Sequence, residues 1–221
     1  VRFVSLDLHN SPQRIGYVVG AGDEIPESLR QIGYRVELIN DLDFSEQVLD
    51  AYDAIILGVR ALNTVERLKY DMDKLFSYVN RGGHLIVQYN TSQGLLTNDL
   101  APYQLRLSRD RITNENSPVT FLAPDHPVLN YPNKITSADF EGWLQERGLY
   151  YPNQWGPEFQ AILSSHDPGE QPLDGGLLIA PHGKGYYIYT SLSWFRELPA
   201  GVPGAYRLFV NMISLGTGLV P

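Results

Sequence analysis

The chain has 221 residues, 43% of them hydrophobic and 19% charged, and its 17 Lys and Arg stand against 25 Asp and Glu for a net charge of -8. That balance suits a packed globular core, excludes a disordered chain, and repels nucleic-acid phosphates, for which no basic cluster is present. No apolar run approaches the roughly 18 residues that would span a bilayer, and the absence of cysteine removes disulfides, thiolate metal sites and a cysteine nucleophile.

In chain order, Ile15-Gly16-Tyr17-Val18-Val19 predicts a strand, Gly20-Ala21-Gly22 a turn, and Asp23-Glu24-Ile25-Pro26 a helix start. Pro26 fits a first helical turn, Ile25, Leu29 and Ile32 fall at i, i+4 and i+7, and Gly33 suits a left-handed cap. Arg35 to Ile39 predicts a second strand. The unbroken apolar run Ala54-Ile55-Ile56-Leu57, ending at Gly58, predicts a strand buried on both faces of a parallel sheet. Leu68, Met72, Leu75, Phe76 and Val79 repeat at helical spacing until Arg81-Gly82-Gly83, and His84 to Tyr89 supplies the next strand.

This alternation predicts an α/β fold, an open, mainly parallel sheet with helices on both faces, of flavodoxin-like type. From Leu96 to Tyr151 short extended pieces rich in Asn, Asp and Pro predict an insertion or sheet extension, at about 96-151, within a single domain spanning 1-221. Strand signals return at Gln160 to Ser164, Gly176 to Ala180 and Gly185 to Thr190. The last two predict a C-terminal β-hairpin around His182-Gly183-Lys184, and Gly204 to Leu215 a closing helix. The start at Val1 and the missing signal-peptide core give the expectation of a domain excised from a longer parent, with an exported parent, periplasmic or extracellular, left open.

Gly20-Ala21-Gly22 lacks the third glycine of a dinucleotide fingerprint, which would fall at Ile25, and Asp23 and Glu24 would repel a pyrophosphate, so no cofactor is expected. The five histidines are never closer than 16 residues, so none forms a local ligand pair and no metal is expected. Trp143, Tyr150, Tyr151 and Trp155 lie among Asn, Gln and Asp, which suits a sugar-stacking platform or, more plainly, core packing. Asp139 and Glu141 form a candidate acid pair whose separation nothing fixes.

The βαβ start, the Gly58-Val59-Arg60-Ala61 turn, the strand behind Gly82-Gly83 and the terminal Tyr189-Thr190-Ser191-Leu192-Ser193-Trp194 together resemble the class I glutamine amidotransferase-like fold. Ala138-Asp139-Phe140-Glu141-Gly142-Trp143, Gly148-Leu149-Tyr150-Tyr151-Pro152 and His182-Gly183-Lys184-Gly185 are similar to the amidotransferase-like domain appended to bacterial PIG-L (LmbE-like) deacetylases. A more distant similarity is to ThuA-like proteins. Active members of the fold place a cysteine after the strand that ends here at Tyr89 and a histidine with an acid after a later strand. Here those segments read Tyr89-Asn90-Thr91-Ser92-Gln93 and Ser193-Trp194-Phe195-Arg196-Glu197, with neither cysteine nor histidine.

The resemblance therefore implies a noncatalytic accessory domain that binds or positions a carbohydrate-type ligand or braces an upstream deacetylase domain in the same polypeptide. The alternative is a hydrolase acting on a carbohydrate derivative through Asp139, Glu141 or a histidine. Open α/β sheets bind ligands at the carboxyl ends of their strands. The candidate ligand residues are Gly58, Arg60, Asn90, Thr91, Asp139, Trp143, Tyr151 and Trp194.

Overall fold

A computed structural model describes residues 6-11 and 13-215. The first half supplies β1 (Arg14–Val18), α1 (Ile25–Gln31), β2 (Arg35–Leu38), α2 (Glu46–Leu49), β3 (Ala54–Leu57), α3 (Ala61–Thr64), α4 (Leu68–Arg81) and β4 (His84–Val87). Short strands follow, β5 (Leu105–Leu107), β6 (Arg111–Ile112), β7 (Val119–Phe121), β8 (Gly148–Leu149), β9 (Pro152–Trp155), β10 (Gln160–Ala161) and β11 (Leu163–Ser165). The chain closes with β12 (Leu177–His182), β13 (Gly185–Thr190), α5 (Trp194–Glu197) and α6 (Pro203–Ser214).

The main sheet has seven strands in the order β10-β12-β13-β4-β3-β1-β2. The five from β13 to β2 run parallel, while β12 is antiparallel to both β13 and β10. The sheet is thus the open, mainly parallel one that the alternation predicts. Its register aligns Tyr17 with Ile56, Ile56 with Ile86, and Ile86 with Ile188. Because successive strand residues point to opposite faces, this row faces one core with Ile25 and Leu29 of α1 and Leu208, Phe209 and Met212 of α6. Ile55, Leu57, Leu85, Val87, Tyr187 and Tyr189 face the other, against Leu68, Met72, Leu75 and Val79 of α4. Each fully buried aliphatic side chain contributes about 1.5–3 kcal/mol, so two covered faces explain why these strands read as continuous apolar runs. Gly33 ends α1 at φ +98°, a backbone region that disfavours any side chain.

The segment expected as an insertion pairs partly with itself, β6 with β8, and partly with later chain, β5 with β9 and β7 with β11. Antiparallel pairs β5–β9, β6–β8 and β7–β11 stand apart from the main sheet. The single strand expected over Gln160 to Ser164 is two: β10 joins the main sheet, β11 joins β7, and the chain changes sheet at Ile162, which is buried and donates its N–H to Leu177 O at 3.0 Å. A run of apolar residues cannot reveal that switch, because the partners of its two halves lie far away in sequence.

Candidate functional site

At the carboxyl edge the strand order reverses between β1 and β3, and there the protein is closed. Ala21 N donates to Val59 O at 2.8 Å, and a Cβ on Gly20 would lie 2.1 Å from that oxygen, so the two turns touch backbone to backbone. The Asp23 carboxylate accepts from the Tyr17 hydroxyl (2.7 Å), from Ile25 N (3.0 Å) and from Val59 N (3.2 Å). It occupies the amide donors that a phosphate would need. Tyr17 also accepts from Gln88 Nε2 at 2.9 Å, and burial together with Asp23 pushes its phenol pKa well above the ordinary value.

The eight residues singled out from sequence separate sharply. A Cβ on Gly58 would meet the Tyr17 ring at 2.9 Å, so this glycine serves the closed seam. Asn90 is fully buried and committed: its Oδ1 accepts from Leu62 N, its Nδ2 donates to Gln88 O, and its own N–H donates to the Tyr189 hydroxyl. Thr91 is half-buried, with Oγ1 donating to Gln93 O at 2.7 Å. Asp139 accepts from Thr136 N at 2.7 Å and pairs with Arg207 at 2.9 Å, so its charge is already neutralised.

The structure corrects the platform expectation: it buries two of the expected rings, Trp143 and Tyr151, and with them the separate ligand candidate Trp194. Trp143, Tyr151 and Trp194 are 3%, 1% and 0% exposed, leaving no face for a sugar. Trp143 donates its indole N–H to Asp139 O and stacks on Phe140, while Trp194 donates to Thr190 Oγ1 and meets Trp143 and Phe209. Burying apolar ring area outweighs any gain from a wet platform once each indole N–H has a partner inside.

At this edge Arg60 is the charged residue with an uncommitted atom; the buried Gln88 Oε1 after β4 and Ser191 Oγ after β13 also lack a partner among the described residues. Arg60 directly follows the β3 turn, is half-buried, and has left-handed backbone angles of φ 56°, ψ 25°. Among the described residues its Nε is buried without a hydrogen-bond partner. Left-handed non-glycine residues are uncommon and collect at functional sites. The three described ones are Arg60, Gln145 (φ 66°) and Tyr150 (φ 52°); Arg60 and Tyr150 contact Tyr89, just after β4, and Gln145 is linked to it through Arg196 and Phe195. Arg60 N donates to Tyr89 O at 2.9 Å, the Tyr150 ring stacks on Tyr89 at 6.2 Å, and Phe195 lies 5.5 Å from Tyr89 on its other flank. Arg196 sits over the Phe195 ring at 4.8 Å, pairs with Glu146 at 2.8 Å and donates to Gln145 Oε1. Tyr89 and Phe195 lie in segments already compared with the active family, beside Asn90 and Trp194; the strand-end position of Tyr89 was the available signal.

Beneath this edge a buried carboxylate anchors the strained loop. Glu197 accepts from Leu144 N through both oxygens, at 3.1 and 3.0 Å, and burial pushes its pKa up to about 7 despite that bond and the nearby Arg147. Ser193 Oγ donates to Glu146 O at 2.6 Å, and Ser193 N donates to Arg147 O. These bonds fix the loop on both sides of Gln145. They also commit Ser193, whose hydroxyl lies 3.5 Å from Glu197 with no imidazole to activate it. No described non-glycine residue in Tyr89 to Gln93 has positive φ, so the turn after β4 lacks the strained backbone of a nucleophile elbow. Among the described residues no three His, Asp or Glu side chains gather as a metal would require, and no helix is long and apolar enough to cross a membrane.

No protein-family model and no curated protein matches the sequence. Solved structures do share the fold. A protein described as a GMP synthase component, from Thermoplasma acidophilum, superposes with a TM-score of 0.56 at 12% identity, covering 94% of this chain and 96% of its own. PurLQS from Thermotoga maritima gives 0.55 at 12% identity over 93% and 99% of the two chains. A ThuA-like protein from Parabacteroides merdae gives 0.51 at 12% identity over 94% and 91%. The chain therefore has the class I glutamine amidotransferase-like fold, shared with ThuA-like proteins.

Proposed function

We propose that this chain is a noncatalytic binding module that takes a carbohydrate-type ligand at the carboxyl edge of β3, β4 and β13. The observation that carries this reading is that two left-handed non-glycine residues, Arg60 and Tyr150, contact Tyr89, one of them an arginine with an orphaned Nε. Such strain and an unsatisfied donor each cost on the order of 1–3 kcal/mol; the Nε itself is buried, so a ligand meets the rest of the half-buried guanidinium. The Arg60 guanidinium supplies a planar fork of donors, and the half-buried rings of Tyr150 and Phe195 supply apolar faces.

Glutamine hydrolysis has no agent in this chain: there is no cysteine, Asn90 stands buried in the elbow segment, and Phe195 lies in the segment that carries the family histidine. The likeness of residues 138-143, 148-152 and 182-185 to domains appended to PIG-L deacetylases supports a role in positioning substrate for, or bracing, such a partner within a longer polypeptide. The test is calorimetric titration of a panel of neutral and N-acetylated sugars into the wild-type chain, Arg60→Ala and Tyr150→Ala. Weak binding that falls by about tenfold or more in both variants is expected. A panel that gives no heat, or binding indifferent to both changes, overturns the reading.

A further inference from the structure

A second concave surface lies on the same side of the sheet, beyond the loop that follows β4. Between that loop and the β5–β9 ribbon opens a cleft of about 410 Å³. The core leucines Leu100, Leu105 and Leu107 back it with little exposed surface, so its open lining is mainly polar. Its rim is polar: Ser92, Asn98, Arg106, Arg109 and Asn153.

The state of these rim groups distinguishes the cleft from ordinary surface. In a chain of net charge -8, neither Arg106 nor Arg109 pairs with a carboxylate among the described residues. Arg106 makes one long contact, 3.4 Å to Gln154 Oε1, which leaves most of its fork free. The nearby Asp110 carboxylate is taken by the Ser108 hydroxyl at 2.7 Å and does not line the cleft. The side chains of Asn98 and Asn153 are exposed.

We propose that this cleft binds an acidic sugar, a monosaccharide-sized ring whose oxyanion is held by Arg106 and Arg109. An arginine fork fits a carboxylate or phosphate through two parallel N–H bonds, and paired arginines favour an anion over a neutral hydroxyl. The Asn98, Asn153 and Ser92 side chains suit the hydroxyls of a sugar ring that carries that oxyanion. The volume lies within the range of small-ligand pockets, about 300–1,000 Å³. This site does not depend on the Arg60 edge, and its arginines are surface residues whose loss leaves both cores intact.

The experiment is titration of glucuronate, glucose 6-phosphate, glucose and inorganic phosphate into the wild-type chain, the double variant Arg106→Gln/Arg109→Gln, and Arg60→Gly. Glucuronate or glucose 6-phosphate is expected to bind at least about tenfold more tightly than glucose, with affinity falling as salt rises. Preference for the first identifies a carboxylate site, for the second a phosphate site. The double variant should lose at least about tenfold in that binding, whereas Arg60→Gly should retain it. Equal affinity for glucose and the acidic sugars, inorganic phosphate binding as tightly as either, no binding at all, or full retention in the double variant each overturns the proposal. Loss in Arg60→Gly alone assigns the binding to the Arg60 edge and overturns it as well.

Discussion

Two stretches of one sheet edge have opposite characters. Between β1 and β3, where this kind of sheet ordinarily leaves a ligand crevice, Gly20, Asp23, Tyr17 and Gln88 form a seam in which backbone meets backbone and Asp23 collects three donors. At Tyr89, just after β4, Arg60 and Tyr150 hold left-handed backbones, and the Arg60 Nε has no partner among the described residues. The first region spends most of its polar groups on its own closure, and of its four residues only Gln88 keeps a buried side-chain atom, Oε1, without a partner among the described residues. The second keeps strain and an open donor, and it is held in that state by bonds from the buried Glu197 and Ser193. Topology thus names the edge on which a ligand could sit, while hydrogen-bond satisfaction decides which part of that edge is free.

The largest effect expected concerns the base of the open region. Trp194 is fully buried against Trp143 and Phe209, so Trp194→Ala should lose about 3–5 kcal/mol in urea unfolding, and Trp143→Ala a similar amount. A loss under about 1 kcal/mol for either would return that ring to the surface and restore the platform that the interior placement removes.

Glu197 gives a pH signature to the same region. Its carboxyl is raised from 4.5 to about 7 by burial, so between these values the folded chain binds more protons than the unfolded one and stability falls as pH rises, by about 3 kcal/mol. His84, buried in the sheet, is lowered by desolvation from 6.5 to about 4; between those values the unfolded chain binds more protons, and stability rises with pH. The two slopes oppose each other through the overlap. Glu197→Gln should therefore steepen the climb in stability between about pH 4 and 6.5, to which His84 and, by the same direction of shift, His126 and His182 contribute. An unchanged profile would mean that Glu197 is not the buried anchor of the strained loop.

The closed seam should fail differently. Gly20→Ala places a methyl 2.1 Å from Val59 O and 2.7 Å from Ala61 N, both backbone atoms that cannot swing away. Separating the turns should cost about 1–3 kcal/mol and, because Val59 and Ala61 flank Arg60, should also weaken sugar binding at its edge. Loss of ligand binding together with normal stability would show that the seam, and not the Tyr89 edge, receives the ligand.

Most of the fold was legible because its two covered faces write themselves into the sequence as apolar strands and helical repeats. Ala54 to Leu57 and the Leu68–Val79 series needed no long-range knowledge. The site was legible only in part. Arg60 followed from its place at a strand end, but nothing local distinguishes Asn90, whose amide is consumed by Leu62 and Gln88, from an amide facing a ligand. Trp143 sits in a polar stretch of sequence yet packs inward because its partner, Trp194, arrives from the other end of the chain. The left-handed backbones of Gln145 and Tyr150 carry no compositional mark, since tertiary bonds from Glu197 and Ser191 impose them: Leu144 is held by Glu197, and Leu149 N donates to Ser191 O at 2.9 Å.

The smallest effect tests the comparison most directly, because its two readouts should move in opposite directions. Arg60 holds φ 56°, which costs a side-chain-bearing residue on the order of 1 kcal/mol and glycine almost nothing. Arg60→Gly removes that strain and the orphaned Nε but retains the N–H to Tyr89 O bond, which belongs to the backbone. Glycine also loosens the unfolded chain, which offsets part of the gain. Stability should therefore rise by up to about 1 kcal/mol while sugar affinity at the Tyr89 edge falls by about tenfold or more. A structural arginine would show the reverse: its replacement would lower stability by more than about 1 kcal/mol and leave binding intact, and the open edge would then be as self-contained as the seam beside it.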